Sequence, residues 1–338
     1  MPLGDSPLSF ADDPSATAAG EGAPSTLPII DAARTTSALP FDRLIAALHA
    51  AFATGAVAPP RHHHNIARPE GDDGVLLLMP AWQGESLGVK IATVFPGNNA
   101  RGLPSVYSTY LLCDGATGRP LALLDGDTIT PRRTIAVSAL AASLLAREDA
   151  TSLLVVGTGR IARLAPAAFA AVRPIRRVAI WNRDPARAEI LATRCRADGV
   201  DARAVSSLEV AAGQADIITC ATPSTAPLIR ADWLRPGTHL DLIGSFTPAM
   251  READDACFAR GRVYVDTRDE LAEAGDLVGP IANGALRAED IGLLANLCVG
   301  RTPARRSSDE LTIFKAVGTA VADLVAATLV RGALTGNS

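Results

Sequence analysis

The stretch "TSLLVVGTGRIARL", residues 151–164, decides the fold. A short apolar run suited to a buried strand leads straight into Gly157-x-Gly159-x-x-Ala162. A helical pattern, "RIARLAPAAFAAV", follows at once. In a strand–turn–helix unit the first glycine permits a tight turn and the second lets backbone approach a pyrophosphate. A small third residue keeps the helix against the sheet, whose free N–H groups face the anion. Gly157, Gly159, Arg160 and Ile161 are therefore candidate cofactor-binding residues.

The rhythm around this loop supports the assignment. Apolar strands "RRVAIWN", "ARAVS", "DIITCAT", "HLDLIG" and "RVYVDT" follow, separated by helical segments such as "PARAEILATRCRADG" and "LEVAAGQ". Six strands spaced this way predict βαβ crossovers and a doubly wound parallel sheet, an α/β fold of the Rossmann type over residues 134–306. "SSLE" at 206–209 reads as a capping box. The tip of the second strand, "WNRDPAR", selects the dinucleotide. A carboxylate there would favour a ribose 2′-hydroxyl, whereas Asn182, Arg183 and Arg187 favour a 2′-phosphate. The expected cofactor is NADP(H), with NAD(H) as the lesser alternative. Asp184, followed by Pro185, suits the cap of the next helix. Thr222, at the carboxyl end of "DIITCAT", stands where ligands of such sheets lie.

Before residue 134 the texture differs. One helical segment, "FDRLIAALHAAFATG", precedes strand-like runs "GVLLLMPAW", "LGVKIATVF", "SVYSTYLLCD" and "PLALLDGDTI". They predict an antiparallel or mixed sheet over residues 26–133, a second α+β domain. The last segment, "SSDELTIFKAVGTAVADLVAATLV", reads as a helix that returns to complete it with residues 307–338. Residues 1–25, rich in Ser, Ala, Gly, Pro and Asp, read as a loose tail.

Composition excludes several classes. With 338 residues, a net charge of −4 and no apolar run of membrane length, the chain has no general attraction for nucleic acid or lipid. The five cysteines are scattered without a CxxC pair, and the start lacks a secretory pattern, so a reducing cytoplasm is expected. His62, His63 and His64 alternate across a strand and have no second ligand cluster, so no metal is expected.

Lys90 sits in "LGVKIATVF" with no acidic residue nearer in sequence than Glu85. A buried ammonium needs a negative partner, from the protein or from a ligand. Arg61, opening "RHHHNI", and Arg133, in "TPRRTIAVSALAASLLA", stand out with it in strand or loop contexts rather than on a polar helix face.

Together, "PPRHHHNI", "GVKIATVFPGNNARGLPSV", "DGDTITPRRTIAVSALAASLLA", "VVGTGRIA", "NRDPARAE", "GSFTPAMRE" and "FKAVGTAVADLVAA" resemble the ornithine cyclodeaminase/mu-crystallin family from about residue 35 to 330. The resemblance implies a Rossmann domain, a substrate domain built from both chain ends, and a homodimer formed through the latter's sheet. It implies that Arg61, Lys90 and Arg133 clamp a substrate carboxylate, which makes the substrate the partner of Lys90. It places Ser105, Gly244, Ser245 and Val317 along the cofactor or substrate.

Cyclodeaminases of the family carry an acid where this chain has Phe246. A phenyl ring moves no proton. "GSFTP" instead resembles the family's cyclic-imine reductases, acting on Δ1-pyrroline-2-carboxylate and Δ1-piperideine-2-carboxylate, and Phe246 would line the ring's pocket. The alternatives are an ornithine cyclodeaminase and a non-catalytic NADPH-binding, crystallin-like protein.

Overall fold

A computed structural model describes residues 26–69 and 71–336; the tail expected over 1–25 lies outside them. The chain forms two sheets. The first holds β1 (Ile29–Ile30), β2 (His62–Ile66), β3 (Gly74–Gln83), β4 (Ser86–Val94), β5 (Val106–Asp114) and β6 (Pro120–Asp125), in the order β1-β6-β5-β4-β3-β2. Only β1 pairs in parallel. Both β1 and the edge strand β2 were not evident in sequence, being a two-residue strand and a polar "HHHNI".

The second sheet holds β7 (Ser152–Val156), β8 (Arg177–Trp181), β9 (Ala202–Ala204), β10 (Ile217–Cys220), β11 (His239–Leu242), β12 (Arg262–Val265), β13 (Gly292–Leu293) and β14 (Thr312–Lys315). All are parallel, in the order β13-β12-β14-β11-β10-β7-β8-β9. The chain runs outward from β7 through β8 to β9, then restarts beside β7 with β10. The carboxyl edge between β7 and β10 is therefore a switch point, where such sheets bind ligands.

Two expectations need correction here. The sheet has eight strands rather than six, because β13 and β14 join it. The segment read as one terminal helix is divided: Thr312–Lys315 is a central strand between β11 and β12, and the helix starts only at Ala320. Helix period and strand period are hard to separate in a short apolar run such as "LTIF". The divide falls at Gly318, with φ 88°, and Thr319, whose hydroxyl accepts from Val321 N–H as the cap.

Caps also differ in detail. Asp184 caps helix Pro185–Ala197 through Ala186 N–H as its sequence suggests. At "SSLE", Ser207 rather than Ser206 is the cap, accepting from Val210 N–H. The capping-box spacing to Glu209 is thereby lost. After the glycine loop comes a 3-10 turn, Ala162–Leu164, before the short helix Ala165–Ala170.

The helices Phe41–Thr54, Gly126–Leu145 and Ala320–Thr335 pack on one face of the first sheet, and Gly126–Leu145 also reaches the second. The core they make is continuous with one side of the parallel sheet; a second cluster fills the other side. Phe169, on the short helix behind the glycine loop, is fully buried in the first of these. Phe169→Ala should lower the unfolding free energy by about 3–5 kcal/mol in urea denaturation followed by circular dichroism.

Candidate active site

Strand β4 carries its polarity the unusual way round. Side chains alternate across a strand, so Gly88, Lys90 and Ala92 share one face and Val89 and Ile91 the other. The helices cover the face with Lys90, while Ile91 on the opposite face is exposed. Lys90 is thus carried 4 % exposed into the core by its register.

Its partner comes from the protein. Asp323, fully buried on helix Ala320–Thr335, lies 2.9 Å from Lys90 Nζ. The same carboxylate accepts from Arg133 Nε at 2.8 Å. This corrects the expectation that substrate is the counter-ion of Lys90. Sequence proximity could not reveal Asp323, which is 233 positions away (323 minus 90). The available signal was a lone acid inside the apolar run "AVADLVAA", a polar group on a face that must be buried.

One carboxylate serving two cations leaves the cluster short of negative charge. Burial lowers the Lys90 pKa to about 8, against the opposing pull of Asp323. Burial by itself would raise Asp323, but Arg133 and then Lys90 outweigh it and hold the carboxyl below its ordinary value. Arg133 Nη1 is buried and has no hydrogen-bond partner among the described residues. It faces Gly318 so closely that a Cβ there would lie on it, and the positive φ of Gly318 fits the same demand.

Arg61 reaches the same place from the loop before β2. Its Nη2 donates to Gly318 O at 3.4 Å and lies 3.3 Å from Glu273. Asp266, at the end of β12, accepts from Gly318 N–H at 3.2 Å, and burial pushes its carboxyl up to about 6. The three cations therefore do converge, around Gly318 at the carboxyl edge of the parallel sheet. Lys90 and Arg133 already share one acid, and Arg61 has its own. A cavity of about 270 Å³ beside Arg61, Met79, Asp266 and Gly318 opens there.

The glycine loop lies at the switch point of the same edge. A Cβ on Gly157 would strike Ala221 O, and nothing lies within 4 Å of a Cβ on Gly159, so backbone there is open to a ligand. A cleft of about 840 Å³ joins Gly157, Gly159, Arg160, Asn182, Arg183, Arg187 and Thr222. Those residues suit a dinucleotide: open backbone for a pyrophosphate and exposed guanidinium groups beyond it. Asn182 Nδ2 donates to Thr158 Oγ1 at 3.0 Å, tying the loop to the end of β8. Arg187 pairs with Asp184 at 3.4 Å, while Arg183 is exposed to the cleft. Arg160 turns out of the loop to Asp127 O on helix Gly126–Leu145, bridging the two sheets' layers. Ile161 is half-buried beneath the loop.

Other expected contacts are rearranged. Ser245 is fully buried; its hydroxyl donates to Met250 O at 2.7 Å and accepts from Asp276 N–H at 3.0 Å, so its side chain faces the interior. Thr222 gives both its N–H and its hydroxyl to Glu252, at 2.7 and 2.8 Å. Both hydroxyls are held by the protein itself, while Thr222 still lines the cleft. Ser105 Oγ, before β5, is buried and without a partner. Phe246 is 56 % exposed on the loop after β11, and Val317 is half-buried beside Gly318. His62, His63 and His64 lie exposed on the edge strand β2. Among the described residues, no group of three or more His, Cys, Asp or Glu could hold a metal.

The ornithine cyclodeaminase/mu-crystallin family model matches residues 29–338. The chain is 44 % identical over 267 residues to a Δ1-pyrroline-2-carboxylate reductase of Paracoccus denitrificans, covering 78 % of this chain and 84 % of that one. It is 34 % identical over 279 residues to the mouse ketimine reductase mu-crystallin, covering 82 % and 85 %. Among solved structures, Thermococcus litoralis Δ1-pyrroline-2-carboxylate reductase with NADH and L-proline superposes with a TM-score of 0.85 at 30 % identity, covering 92 % of this chain and 98 % of that one. With two sheets in this arrangement and likeness along nearly its whole length, the chain belongs to the ornithine cyclodeaminase/mu-crystallin family.

Proposed function

We propose that this protein is an NAD(P)H-dependent oxidoreductase that reduces the C=N bond of cyclic imino acids, Δ1-pyrroline-2-carboxylate and Δ1-piperideine-2-carboxylate, to proline and pipecolate. The observation that carries this reading is the buried, unpartnered Arg133 Nη1 beside Gly318. A guanidinium N–H left without an acceptor in a dry site is costly, and a ligand carboxylate satisfies it. The named substrates of the reductases similar to this chain carry such a carboxylate next to the imine carbon.

In this reading the sheet of β1–β6 with helix Ala320–Thr335 is the substrate half, and the sheet of β7–β14 is the dinucleotide half. Arg133 holds one carboxylate oxygen through Nη1, and Arg61 lines the cavity beside Gly318. Lys90, fixed by Asp323, adds the positive field and, with its pKa near 8, a proton close at hand for the imine nitrogen. A bound reduced nicotinamide supplies the electron pair and hydrogen that convert the C=N carbon. The protein's part is to hold that carbon in place and keep water out. Phe246 brings no proton-handling group to the loop after β11, which weighs against ammonia release from ornithine. The Arg61, Lys90 and Arg133 constellation weighs against a purely non-catalytic dinucleotide carrier.

Arg183, exposed in the cleft at the tip of β8 and with no acid paired to it among the described residues, supports NADPH over NADH. The uncovered face of the first sheet, with exposed Ile66, Trp82, Ile91 and Tyr107, supports a homodimer formed through it.

The test is an assay of both cyclic imines and of ornithine, with each nicotinamide. Imine-dependent NADPH oxidation without ammonia release from ornithine is expected; the reverse pattern would replace the reductase by a cyclodeaminase. Arg133→Ala should raise the imine KM at least about tenfold, through loss of a charge-assisted hydrogen bond, with dinucleotide affinity retained. Arg183→Ala should shrink the preference of kcat/KM for NADPH, and equal parent values for both dinucleotides would remove Arg183 from that role. The Lys90 ammonium loses its proton as pH rises through about 8, so kcat/KM for the imino acid should fall above that pH. Asp323→Asn removes the carboxylate that holds the proton on Lys90 and should move this fall to lower pH. It should also cost about 3–5 kcal/mol of stability, because two cations then share the interior unpaired.

A further inference from the structure

The loops at the carboxyl ends of β10 and β11 are joined by a group that the reaction itself does not use. Glu252, fully buried in the segment before helix Asp255–Arg260, sends its carboxylate between them. Oε1 accepts from Thr222 N–H at 2.7 Å and from the Thr222 hydroxyl at 2.8 Å. Oε2 accepts from Gly244 N–H at 2.6 Å. These are the loops after adjacent parallel strands; the Thr222 loop lines the dinucleotide cleft, and Gly244 packs directly on Thr222.

Three features show that this junction is built rather than incidental. The loops are drawn so close that a Cβ on Gly244 would overlap Thr222 O and the Glu252 carboxylate. Glu252 is itself fixed from behind: Asp276 accepts from Glu252 N–H at 2.8 Å, and the backbone N–H groups of Leu228 and Ile229 both donate to Glu252 O at 2.9 Å. Burial pushes the Glu252 carboxyl up to about 7, opposed by the positive charge of Lys315, fully buried at the end of β14, whose Nζ donates to Leu242 O at 3.1 Å. A buried carboxylate and a buried ammonium are each expensive to keep. A hydroxyl or amide could have tied one loop at lower cost; only a carboxylate accepts from two backbone donors on separate loops and a hydroxyl together.

We infer that Glu252 is a positioning residue that sets the spacing between the Thr222 and Gly244 loops and thereby the grip of the protein on the nicotinamide half of its dinucleotide. This rests on the reading above that the β7–β14 sheet is the dinucleotide half, and takes the nicotinamide to lie over the ends of β10 and β11, beyond the glycine loop. The adenine half meets the Gly157–Gly159 loop and Arg183; Gly157 packs on Ala221 and Thr222, while the hydrogen bonds of the Glu252 carboxylate go to Thr222 and Gly244.

Glu252→Gln keeps size and polarity but puts an amide N–H against either Gly244 N–H or Thr222 N–H, whichever way the amide turns. Gly244→Ala pushes the loops apart sterically with the carboxylate intact. Binding of NADPH and NADH is read by fluorescence titration, and binding of 2′-phospho-ADP-ribose and ADP-ribose, which lack the nicotinamide ring, by calorimetry. Each variant should weaken whole-dinucleotide binding about tenfold or more, the loss of one charge-assisted hydrogen bond, while the ADP-ribose compounds stay within about twofold. Equal losses for whole and truncated ligands would make Glu252 a general structural support and overturn the inference. Unchanged binding of every ligand, or failure of both variants to fold, would overturn it as well. Parent protein that binds NADPH no better than 2′-phospho-ADP-ribose, and NADH no better than ADP-ribose, would instead remove the nicotinamide from this edge. That result refutes the underlying placement and the inference with it.

Discussion

The structure depends on a single buried carboxylate, Asp323, held between Lys90 of β4 and Arg133 of helix Gly126–Leu145. These three groups come from three elements remote in the chain that pack together in the core. Their charges cannot be left apart in the core, because an unpaired ion there costs far more than any one packing contact returns. The pairing therefore fixes how helix Ala320–Thr335 lies on the first sheet. It also fixes where Arg133 points its remaining N–H groups, toward Gly318 and the edge of the second sheet.

Gly318 is consequently the meeting point of the molecule. Arg61 donates to its carbonyl, Asp266 accepts from its N–H, and Arg133 fills the space a side chain would need. The residue lies three positions beyond β14, in the middle of the parallel sheet's carboxyl edge. An ion cluster organised by the first sheet is in this way delivered to the ligand-binding edge of the second. Behind that edge a different set of buried charges, Glu252, Asp276 and Lys315, shapes the loops from inside. One group of charges gathers around Gly318, and the other supports the backbone of the loops beside it.

Much of the site was legible because its signals are local. Gly157, Gly159 and Ala162 stand at fixed spacing after an apolar strand, and local spacing maps directly onto a strand–turn–helix unit. Asp184 before Pro185 announces a helix start for the same reason. Ser245 and Thr222 mark the limit of such signals, because a small hydroxyl residue at a strand end suits a ligand contact and an internal hydrogen bond equally. Only the positions of Met250, Asp276 and Glu252 distinguish the two.

The amino-acid sequence by itself determined the parallel α/β half, the antiparallel half before it, and the identity of the three cations. Each follows from periodicity or from residue chemistry within a short window. Tertiary structure alone decided which acid meets Lys90, that Thr312–Lys315 is a central strand rather than part of a helix, and which hydroxyls turn inward. The physical reason is that pairing across the core depends on the register and packing of elements remote in the chain. Neither a charge nor a four-residue apolar run carries information about its distant neighbour.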